Sequence, residues 1–575
     1  MATCPNPSNP PKAPWLGALA FLFLSTACAP ASPPEAPAPA PDDLEVVERP
    51  ISAAAADIRV EELKGWVTAF AHDSVRGRAA SSPEHDKAVE FLATELGRMG
   101  LQPAGDDGTF FQTVPMIRRS IHSNLTVDGR PLELWEDWAP YDHGAELPSL
   151  NGAQVVFGGN LGAGTPLIDA EGARGNFVIL GLPEGVGPTL PPVGPGSPLA
   201  EAAGVAVTNL DPDFPDLLEF LRSSNLSLDG VEPPFPALPV IAFLSTDQAN
   251  RLLQTDDYAE LPVGHGAGML QGEFSYSSSQ AESRNVVALL EGSDPVLRGE
   301  LVALGAHSDH TGLAARPLDH DSLRAFNQAE WAIQRELPAG ESVSPESQDQ
   351  ISVDMDSLRA ILPPRMDSIF NGADDNASGS ITLLSVVQAF TRFPVPPRRS
   401  ILFVWHTAEE LGLLGAQHFT DNPPFPLESM VAHINMDMVG RGTADDLPHG
   451  GADYLQLIGS RRLSTQLGDL VEAVNGAQAQ PFRFDYQFDA DGHPENYYCR
   501  SDHYMYARYG IPVVFFTTGG HADYHQLTDE VEYLDVEKMA KVGRFVHALT
   551  SRLANQDQRP LVDQPIPDPD EPCQQ

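Results

Sequence analysis

The sequence predicts an α/β fold for its C-terminal half, with a mixed, largely parallel sheet flanked by helices. The first observation is that short apolar runs alternate with amphipathic segments from Ser283 onwards. Strands covered by helices on both faces read as continuous apolar runs, and strands joined through helices lie parallel. The second observation is that acidic and imidazole side chains follow the ends of these runs. Ligands gather at the carboxyl ends of strands in such sheets.

Five segments read as strands of this sheet, and SITLLSVVQAF reads as a helix between two of them. The strand segments are RNVVALLEG, ELVALGAHSDH, SILFVWH, MVAHINMDMVG and IPVVFFTT. Residues 314–369 interrupt the pattern with a polar, charged and partly helical segment. We interpret this segment as an insertion near the site at the strand ends, because it lacks an apolar core pattern of its own.

The region before the sheet divides into three parts. Residues 51–103 predict helices, with apolar positions at helical spacing in AVEFLATELGRMGL and a stop at Gly100. Residues 126–275 contain short apolar runs broken by Gly and Pro, which predicts a β-rich module whose helical windows lie near Asp247 to Leu253. The stretch FPALPVIAFLSTDQANRLL in this module resembles the end of a protease-associated domain.

The N-terminus has the features of an export signal. Trp15 to Ala27 form an apolar run of 13 residues, which is short for a membrane span and typical of a signal-peptide core. The run ends in small residues before Cys28, which resembles a bacterial lipoprotein cleavage site. We therefore predict a signal peptide over 1–28 and a Pro/Ala-rich linker over 29–50. The mature protein is expected to be exported, either lipid-anchored in the cell envelope (outer membrane or periplasm) or secreted.

Composition restricts the partners and the metal chemistry. A formal net charge of −44 excludes a nucleic-acid partner, since the phosphate backbone attracts basic surfaces. Outside the targeting region the cysteines are Cys499 and Cys573, which could pair in an oxidising compartment but have no zinc-finger spacing. Any metal must therefore be held by His and carboxylate side chains. The Pro- and Asp-rich tail over 554–575 is predicted to be disordered.

Five strand-end or helix-start segments bring carboxylate or imidazole groups to one edge of the predicted sheet. Several carboxylates in one dry crevice repel each other, and a divalent cation is the usual compensation. Oxygen and nitrogen ligands favour Zn²⁺, and Mn²⁺ or Co²⁺ are compatible with them. The segments carry His307 with Asp309, Asp374 with Asp375, Glu409 with Glu410, Asp437, and His521 with His525.

Six motifs occur in the order and with the character of one known family. They are HSD, GADDNASG, AEELGLLGA, NMDMVG, RSDHYMYARYGIP and YHQLTD. Together they resemble metallopeptidase family 28, the di-zinc aminopeptidases. The resemblance covers residues 51–125 and 276–553, which implies one catalytic domain of the zinc-exopeptidase fold into which the module of residues 126–275 is inserted.

The resemblance implies two zinc ions per chain and assigns their ligands by position. Asp375 would be the bridging carboxylate, and the peptide bond between Asp375 and Asn376 would be cis. Asp309 would accept the hydrogen bond that orients the imidazole of His307. One metal would also take His307 and Asp437, and the other Glu410 and His525.

The resemblance also assigns two catalytic roles. Glu409 would act as the general base toward a metal-bridging water, and Tyr524 would polarise the scissile carbonyl or stabilise the oxyanion. These roles would explain why two adjacent glutamates occur at the end of a buried strand. Four other histidines match no ligand position and are set aside: His310, His406, His503 and His521.

The leading prediction is a metallo-exopeptidase that acts as an aminopeptidase on peptides with a free N-terminus. One alternative is a carboxypeptidase of the same fold, which would need a basic pocket, for example from Arg316, Arg324 or Arg359. A glutaminyl cyclase, which keeps one metal, is disfavoured because all five ligand positions are occupied. A non-catalytic, receptor-like binding protein is a further alternative, and the complete ligand and base positions argue against it.

Overall fold

The structure is a computed structural model that describes residues 57–162, 166–182, 190–208, 210, 217–218, 221–222, 225–231, 237–348, 350–393, 395–569 and 571–575. The predicted signal peptide and the linker lie outside the described residues. Among the helices that are described, none is both long and apolar enough to cross a bilayer.

The strands in the described residues are β1 (Gln102–Pro103), β2 (Phe111–Ser123), β3 (Thr126–Val127), β4 (Arg130–Pro131), β5 (Trp138–Tyr141), β6 (Gln154–Asn160), β7 (Phe177–Gly181), β8 (Gly204–Thr208), β9 (Leu226–Leu228), β10 (Val240–Leu244), β11 (Gly266–Gln271), β12 (Phe274–Leu290), β13 (Leu301–His307), β14 (Gly312–Asp319), β15 (Met366–Phe370), β16 (Ser400–His406), β17 (Met430–Met436), β18 (Tyr454–Ile458), β19 (Arg483–Asp485) and β20 (Val513–Thr517).

The helices in the described residues are α1 (Val60–Phe70), α2 (Pro83–Met99), α3 (Ala170–Ala173), α4 (Thr246–Leu252), α5 (His320–Gln334), α6 (Pro345–Gln348), α7 (Met355–Ile361), α8 (Gly379–Thr391), α9 (Leu414–Asp421), α10 (Thr465–Gly476), α11 (His503–Ala507) and α12 (Val536–Asn555).

The large sheet has the strand order β19-β18-β20-β17-β13-β16-β12-β2-β9, with β1 beside β12. Its central strands β20, β17, β13 and β16 are parallel to one another, and β12, β2 and β9 add antiparallel strands on one side. This confirms the predicted mixed α/β fold. Alternate residues of a strand point to opposite faces, so Val302 and Leu304 belong to one apolar core and Leu301 and Ala303 to another.

Helices α8 and α12 pack together on one face of this sheet. Helix α8 is the predicted segment SITLLSVVQAF, and it is apolar on nearly all sides because α12 and the sheet enclose it. Ser82 caps the start of helix α2, where its side chain accepts a hydrogen bond from the His85 amide. Gly100, with a φ of 80°, caps the end of the helix. The predicted stop at Gly100 is therefore confirmed.

The module between residues 126 and 271 forms a second sheet with the order β4-β3-β11-β6-β7-β8-β10-β5. Helix α4 lies where the sequence predicts a helical window in this module. Strands β2 and β12 form a long antiparallel ribbon that pairs Val286 with Phe111 at one end and Phe274 with Ser123 at the other. This ribbon connects the module to the large sheet. The assignment of the module as a protease-associated domain stays a prediction.

The prediction that residues 554–575 are disordered is wrong. Helix α12 continues to Asn555, and Cys573 forms a disulfide with Cys499. The Gln575 side chain accepts a hydrogen bond from the Tyr498 amide and donates one to the Ala490 carbonyl. These contacts compensate the entropy cost of ordering a Pro- and Asp-rich segment, and the composition of the segment alone could not reveal them.

The polar segment over 314–369 leaves the large sheet as a hairpin of β14 and β15 and contains α5, α6 and α7. Helix α5 contacts the segment that follows β20, since Asn327 Nδ2 donates to Gln526 Oε1 at 3.4 Å. Trp331 Nε1 donates to the Asp446 carbonyl at 2.5 Å. The insertion thus lies beside the loop that carries Tyr524 and His525.

Candidate metal centre

Four parallel strands end at the same edge of the large sheet, and a predicted site residue lies at or shortly after the end of each. Strand β13 ends at His307, which is in register with His406 at the end of β16. Asp437 directly follows β17, and His525 follows β20 after a short loop. The parallel register brings these strand ends together, so residues far apart in the sequence meet at one place.

The carboxylate of Asp375 lies between two histidines. His307 Nε2 is 3.1 Å from Asp375 Oδ1, and His525 Nε2 is 2.9 Å from Asp375 Oδ2. His307 Nε2 is also 3.3 Å from Asp437 Oδ1, and His525 Nε2 is 3.0 Å from Glu410 Oε2. The five predicted ligands therefore form one cluster with Asp375 at its centre.

An irregular helical segment over Ala373–Ser378 presents Asp375 to the cluster. The peptide bond between Asp375 and Asn376 is cis, as the family resemblance implies. Asn376 Nδ2 donates to the Met436 carbonyl at 3.0 Å and ties this segment to the end of β17. Gly379 is required beside it, because a Cβ there would lie 2.2 Å from Asn376 Oδ1 and 2.4 Å from the Met436 carbonyl oxygen.

The two adjacent glutamates lie on opposite sides of the cluster. Glu410 Oε2 contacts His525, whereas Glu409 Oε2 is 3.9 Å from His307 Nε2. The Glu409 amide donates to Asp309 Oδ1 at 3.2 Å, which fixes the backbone of this loop against the loop of His307. The side chains of the two adjacent glutamates thus point in different directions, and each carboxylate faces a different imidazole.

Burial and close charges shift the pKa values of these groups in opposite directions. Burial raises the pKa of Glu409 well above its usual value. Burial also opposes ionisation of Glu410, but the imidazoles of His525 and His310 outweigh it and lower the pKa of Glu410 to about 2. Burial alone would lower the pKa of His525, yet Glu410 and Asp375 raise it to about 10.

This donor set fits a divalent metal. The ligand atoms of His307, Asp375 and Glu410 lie within 4.8 Å of one another, as do those of His307, Glu409 and Asp437. All donors are imidazole nitrogens or carboxylate oxygens in a nearly buried site, which suits Zn²⁺. A cation would displace the protons from the imidazoles and supply the positive charge that the carboxylates require. These residues could therefore hold a metal ion.

The structure also places Asp309 and Tyr524 next to the cluster. Asp309 Oδ1 is 3.7 Å from His307 Nδ1, and the Asp309 backbone carbonyl is 3.3 Å from the same nitrogen. The Tyr524 ring stacks on His525 with 4.1 Å between ring centroids, and its hydroxyl accepts a hydrogen bond from Arg500 at 3.2 Å. Desolvation raises the pKa of Tyr524 well above its usual value, so the hydroxyl keeps its proton at neutral pH.

Three of the histidines that were set aside lie away from the ligand atoms. His521 Nε2 contacts Asp374 Oδ2 at 3.2 Å, and Asp374 also accepts from the Gly440 amide. His406 lies between Asp502 and the Tyr506 hydroxyl. The ring of His503 stacks on Phe515 below the strand ends. These contacts give the histidines roles in packing and in holding the loops.

His310, one of the histidines that match no ligand position, nevertheless touches a predicted ligand. His310 Nδ1 is 2.5 Å from Glu410 Oε1 and 4.0 Å from Asp375 Oδ2. Two other contacts were missed as well. Arg500 donates to Tyr524, and Ser501 Oγ donates to Asp437 Oδ2 at 2.7 Å. The motif RSDH contains both residues, but the sequence could not show which of its side chains face the cluster.

The chain is similar to a group of curated aminopeptidases over part of its length. Leucine aminopeptidase 1 of Paracoccidioides brasiliensis (strain Pb18) is 27% identical over 214 residues, which cover 36% of this chain and 51% of that protein. The chain spans about half of the length, or less, of the curated relatives that it matches.

Two solved structures share the fold. An aminopeptidase from Aneurinibacillus sp. strain AM-1 superposes with a TM-score of 0.51 and 14% identity, and the match covers 89% of this chain and 98% of that one. A zinc aminopeptidase from Bacillus subtilis superposes with a TM-score of 0.50 and 16% identity, over 89% of this chain and 99% of that one. At these identities the likeness concerns the fold alone.

The sequence profile of peptidase family M28 matches residues 285–550. This range contains β13, β16, β17 and β20 together with all five predicted ligands. Residues 285–550 of this chain are therefore similar to peptidase family M28 in sequence, over the range that carries the predicted ligands.

Proposed function

We propose that this protein is an exported, zinc-dependent aminopeptidase that hydrolyses the first peptide bond of peptides with a free N-terminus. The observation that carries the proposal is the position of Asp375 between His307 and His525, with Glu410 and Asp437 on either side. The donor set suits two zinc ions, which His307, Asp375, Glu410, Asp437 and His525 would hold. Bound zinc would supply Lewis acidity toward the substrate carbonyl and toward water.

The residues of the chain supply the proton transfers. Glu409 takes a proton from the attacking water, whose oxygen adds to the carbonyl carbon of the first peptide bond. Glu409 then delivers that proton to the leaving nitrogen as the carbon–nitrogen bond breaks. Burial raises the pKa of Glu409 well above its usual value, which makes its carboxylate a stronger base toward the water proton.

Tyr524 is the donor to the oxygen that becomes negative in this reaction. Its hydroxyl already accepts a hydrogen bond from Arg500. A phenolic hydroxyl has one proton, and the contact with Arg500 leaves that proton free to point toward the cleft. Arg500 therefore positions Tyr524 as a hydrogen-bond donor.

We expect Tyr524→Phe to lower kcat by about 10²- to 10³-fold, the usual cost of removing one donor to an oxyanion. The zinc content should stay unchanged, because the substitution removes no ligand. Tyr506→Phe is the matched control, since it also loses a hydroxyl but one that bonds to His406 away from the cluster. Steady-state kinetics on a leucyl anilide measure both. A Tyr524→Phe enzyme as active as Tyr506→Phe would rule out this role.

Export remains part of the proposal. It is supported by the signal-like N-terminal sequence and by the disulfide between Cys499 and Cys573, since disulfides persist in oxidising compartments. The proposed contact with a membrane is limited to a lipid anchor on Cys28. The proposed partners are peptides.

A carboxypeptidase is less well supported, because two candidate arginines of the insertion are engaged by acidic side chains. The Arg324 guanidinium lies 3.5 Å from Asp523 and stacks 3.6 Å above the Tyr533 ring. Arg359 forms an ion pair with Asp319. Arg316, the third candidate, is exposed on β14.

Three substrates test the proposed function on the zinc-loaded protein. Leucyl-p-nitroanilide has a free amine, its N-acetyl derivative does not, and an N-acetyl dipeptide offers only a free C-terminus. An aminopeptidase cleaves the first alone. Cleavage of the third substrate alone would establish a carboxypeptidase. A zinc-loaded protein that cleaves none of a panel of peptides would favour a non-catalytic, receptor-like binding protein.

A further inference from the structure

Arg78 is a fully buried arginine in the N-terminal segment, outside the range that matches the family profile. It follows Gly77, whose missing side chain is required because a Cβ there would lie 2.2 Å from the Gly312 carbonyl oxygen. Arg78 itself has a φ of 49°, which is uncommon for a residue other than glycine. Such a conformation persists where surrounding contacts hold it.

The guanidinium of Arg78 joins the two loops that carry the central ligands. Nε donates to the Ser308 carbonyl at 3.2 Å, beside His307. Nη1 donates to the Asn371 carbonyl at 2.6 Å and Nη2 to the Gly372 carbonyl at 2.9 Å, shortly before Asp375. The backbone carbonyl of Arg78 also accepts a hydrogen bond from the His310 amide at 3.3 Å.

The charge of Arg78 is not neutralised by a direct ion pair. Within the described part of the chain, no carboxylate oxygen comes within 4.0 Å of its guanidinium, and its partners are backbone carbonyls. Burial lowers the pKa of Arg78 to about 10, so the side chain remains charged at neutral pH. Four nearby carboxylates attract this charge and limit the decrease: Asp309, Asp529, Asp375 and Glu410.

We propose that Arg78 is a positioning residue of the metal centre, which holds the loops of His307 and Asp375 at the spacing that zinc requires and partly balances the buried carboxylates. A buried cation without an acidic partner is costly. Here the cost is offset by the hydrogen bonds that the planar guanidinium donates to both loops and by the attraction of the nearby buried carboxylates. The inference rests on the proposed metal centre and is independent of which peptide is cleaved.

Arg399 provides a matched control, because it is as buried as Arg78 but lies at the opposite end of the sheet. Arg399 directly precedes β16, and Glu409 and Glu410 follow the other end of that strand. Its guanidinium pairs with Glu300 at 2.6 Å. It also donates to the Leu553 carbonyl at 3.1 Å. Arg399→Met should therefore lower the melting temperature without changing the binding of zinc.

The test is a competition between the purified protein and a chromophoric zinc chelator, at a temperature well below the unfolding of each variant. We expect Arg78→Met to weaken zinc binding by about 10- to 100-fold, the usual effect of removing a group that orients metal ligands. The zinc affinity of Arg78→Lys should fall between that variant and the wild type, because lysine keeps the positive charge but cannot donate hydrogen bonds to both loops at once. Arg399→Met should stay within about twofold of the wild type.

Wild-type zinc affinity in Arg78→Met, or equal weakening in Arg399→Met, would overturn the proposal. If Arg78→Met does not fold, Arg78→Lys decides the question by its zinc affinity relative to Arg399→Lys. The affinity measurement does not depend on catalysis. A wild-type protein that binds zinc but cleaves no peptide would overturn the proposed function and leave this test valid.

Discussion

Glu409→Ala should keep its zinc and lose most of its activity. We expect kcat to fall by about 10²- to 10⁴-fold, the range for removing a general base. The physical reason is that Glu409 faces His307 at 3.9 Å, a distance longer than the contacts of the other carboxylates with the two imidazoles. At that distance its carboxylate is placed to exchange a proton with water at the cluster. Steady-state kinetics and zinc analysis by mass spectrometry measure both effects on one preparation.

The geometry offers a competing role for Glu409, and the same experiment separates the two. The carboxylate oxygens of Glu409 and Asp437 lie within 4.8 Å of each other and of His307, so Glu409 could itself be a ligand. Loss of zinc in proportion to the loss of activity would establish that role. Full activity in Glu409→Ala would contradict both assignments. Glu409→Gln serves as the companion variant, because it keeps the shape of the side chain and removes its basicity.

Glu410→Ala should lose zinc, in contrast to the substitution at its neighbour. Glu410 contacts His525 at 3.0 Å and His310 at 2.5 Å, and its pKa is lowered to about 2, so it is ionised at any working pH. Removing it leaves the second proposed ion with one carboxylate fewer. We expect zinc to fall from two towards about one ion per chain, with activity reduced at least as far as in Glu409→Ala.

Asp421→Ala is the control for this substitution. Asp421 ends α9, the helix that follows the loop of the two glutamates, and its carboxylate pairs with Arg508 on the surface. Its removal should leave zinc content unchanged and change kcat by less than about twofold. If Glu410→Ala retained two zinc ions, the division of roles between the adjacent glutamates would be wrong. Equilibrium dialysis followed by metal analysis gives the ratio directly.

The two adjacent glutamates also show how far sequence reasoning could go. The strand SILFVWH and the segment that follows it were recognisable, because buried strands are apolar at every position. The likeness to family M28 then supplied different roles for Glu409 and Glu410. Their opposite directions toward His307 and His525 are consistent with those roles. No pattern within the sequence indicates which way either side chain points.

The contribution of His310 was not accessible to the same reasoning. It follows the HSD motif and is one of 17 histidines in the chain. Its contact with Glu410 depends on the turn that begins the insertion after β13 and on the loop after β16, which are about 100 residues apart in sequence. Arg500 and Arg78 were missed for the same reason, because their partners are determined by the packing of separate segments.

The sequence by itself determined the α/β class, the order of the strands along the chain, the β-rich character of the module and the residues that could bind a metal. These properties follow from local patterns, namely apolar periodicity and the types of residue at strand ends. The tertiary structure decided which segments contact each other. It set the order of strands in the sheet, the contact of Arg78 with both loops, and the packing of the C-terminal tail through Cys573. Those contacts join segments far apart in sequence, and their free energy depends on distances and directions that local patterns do not contain.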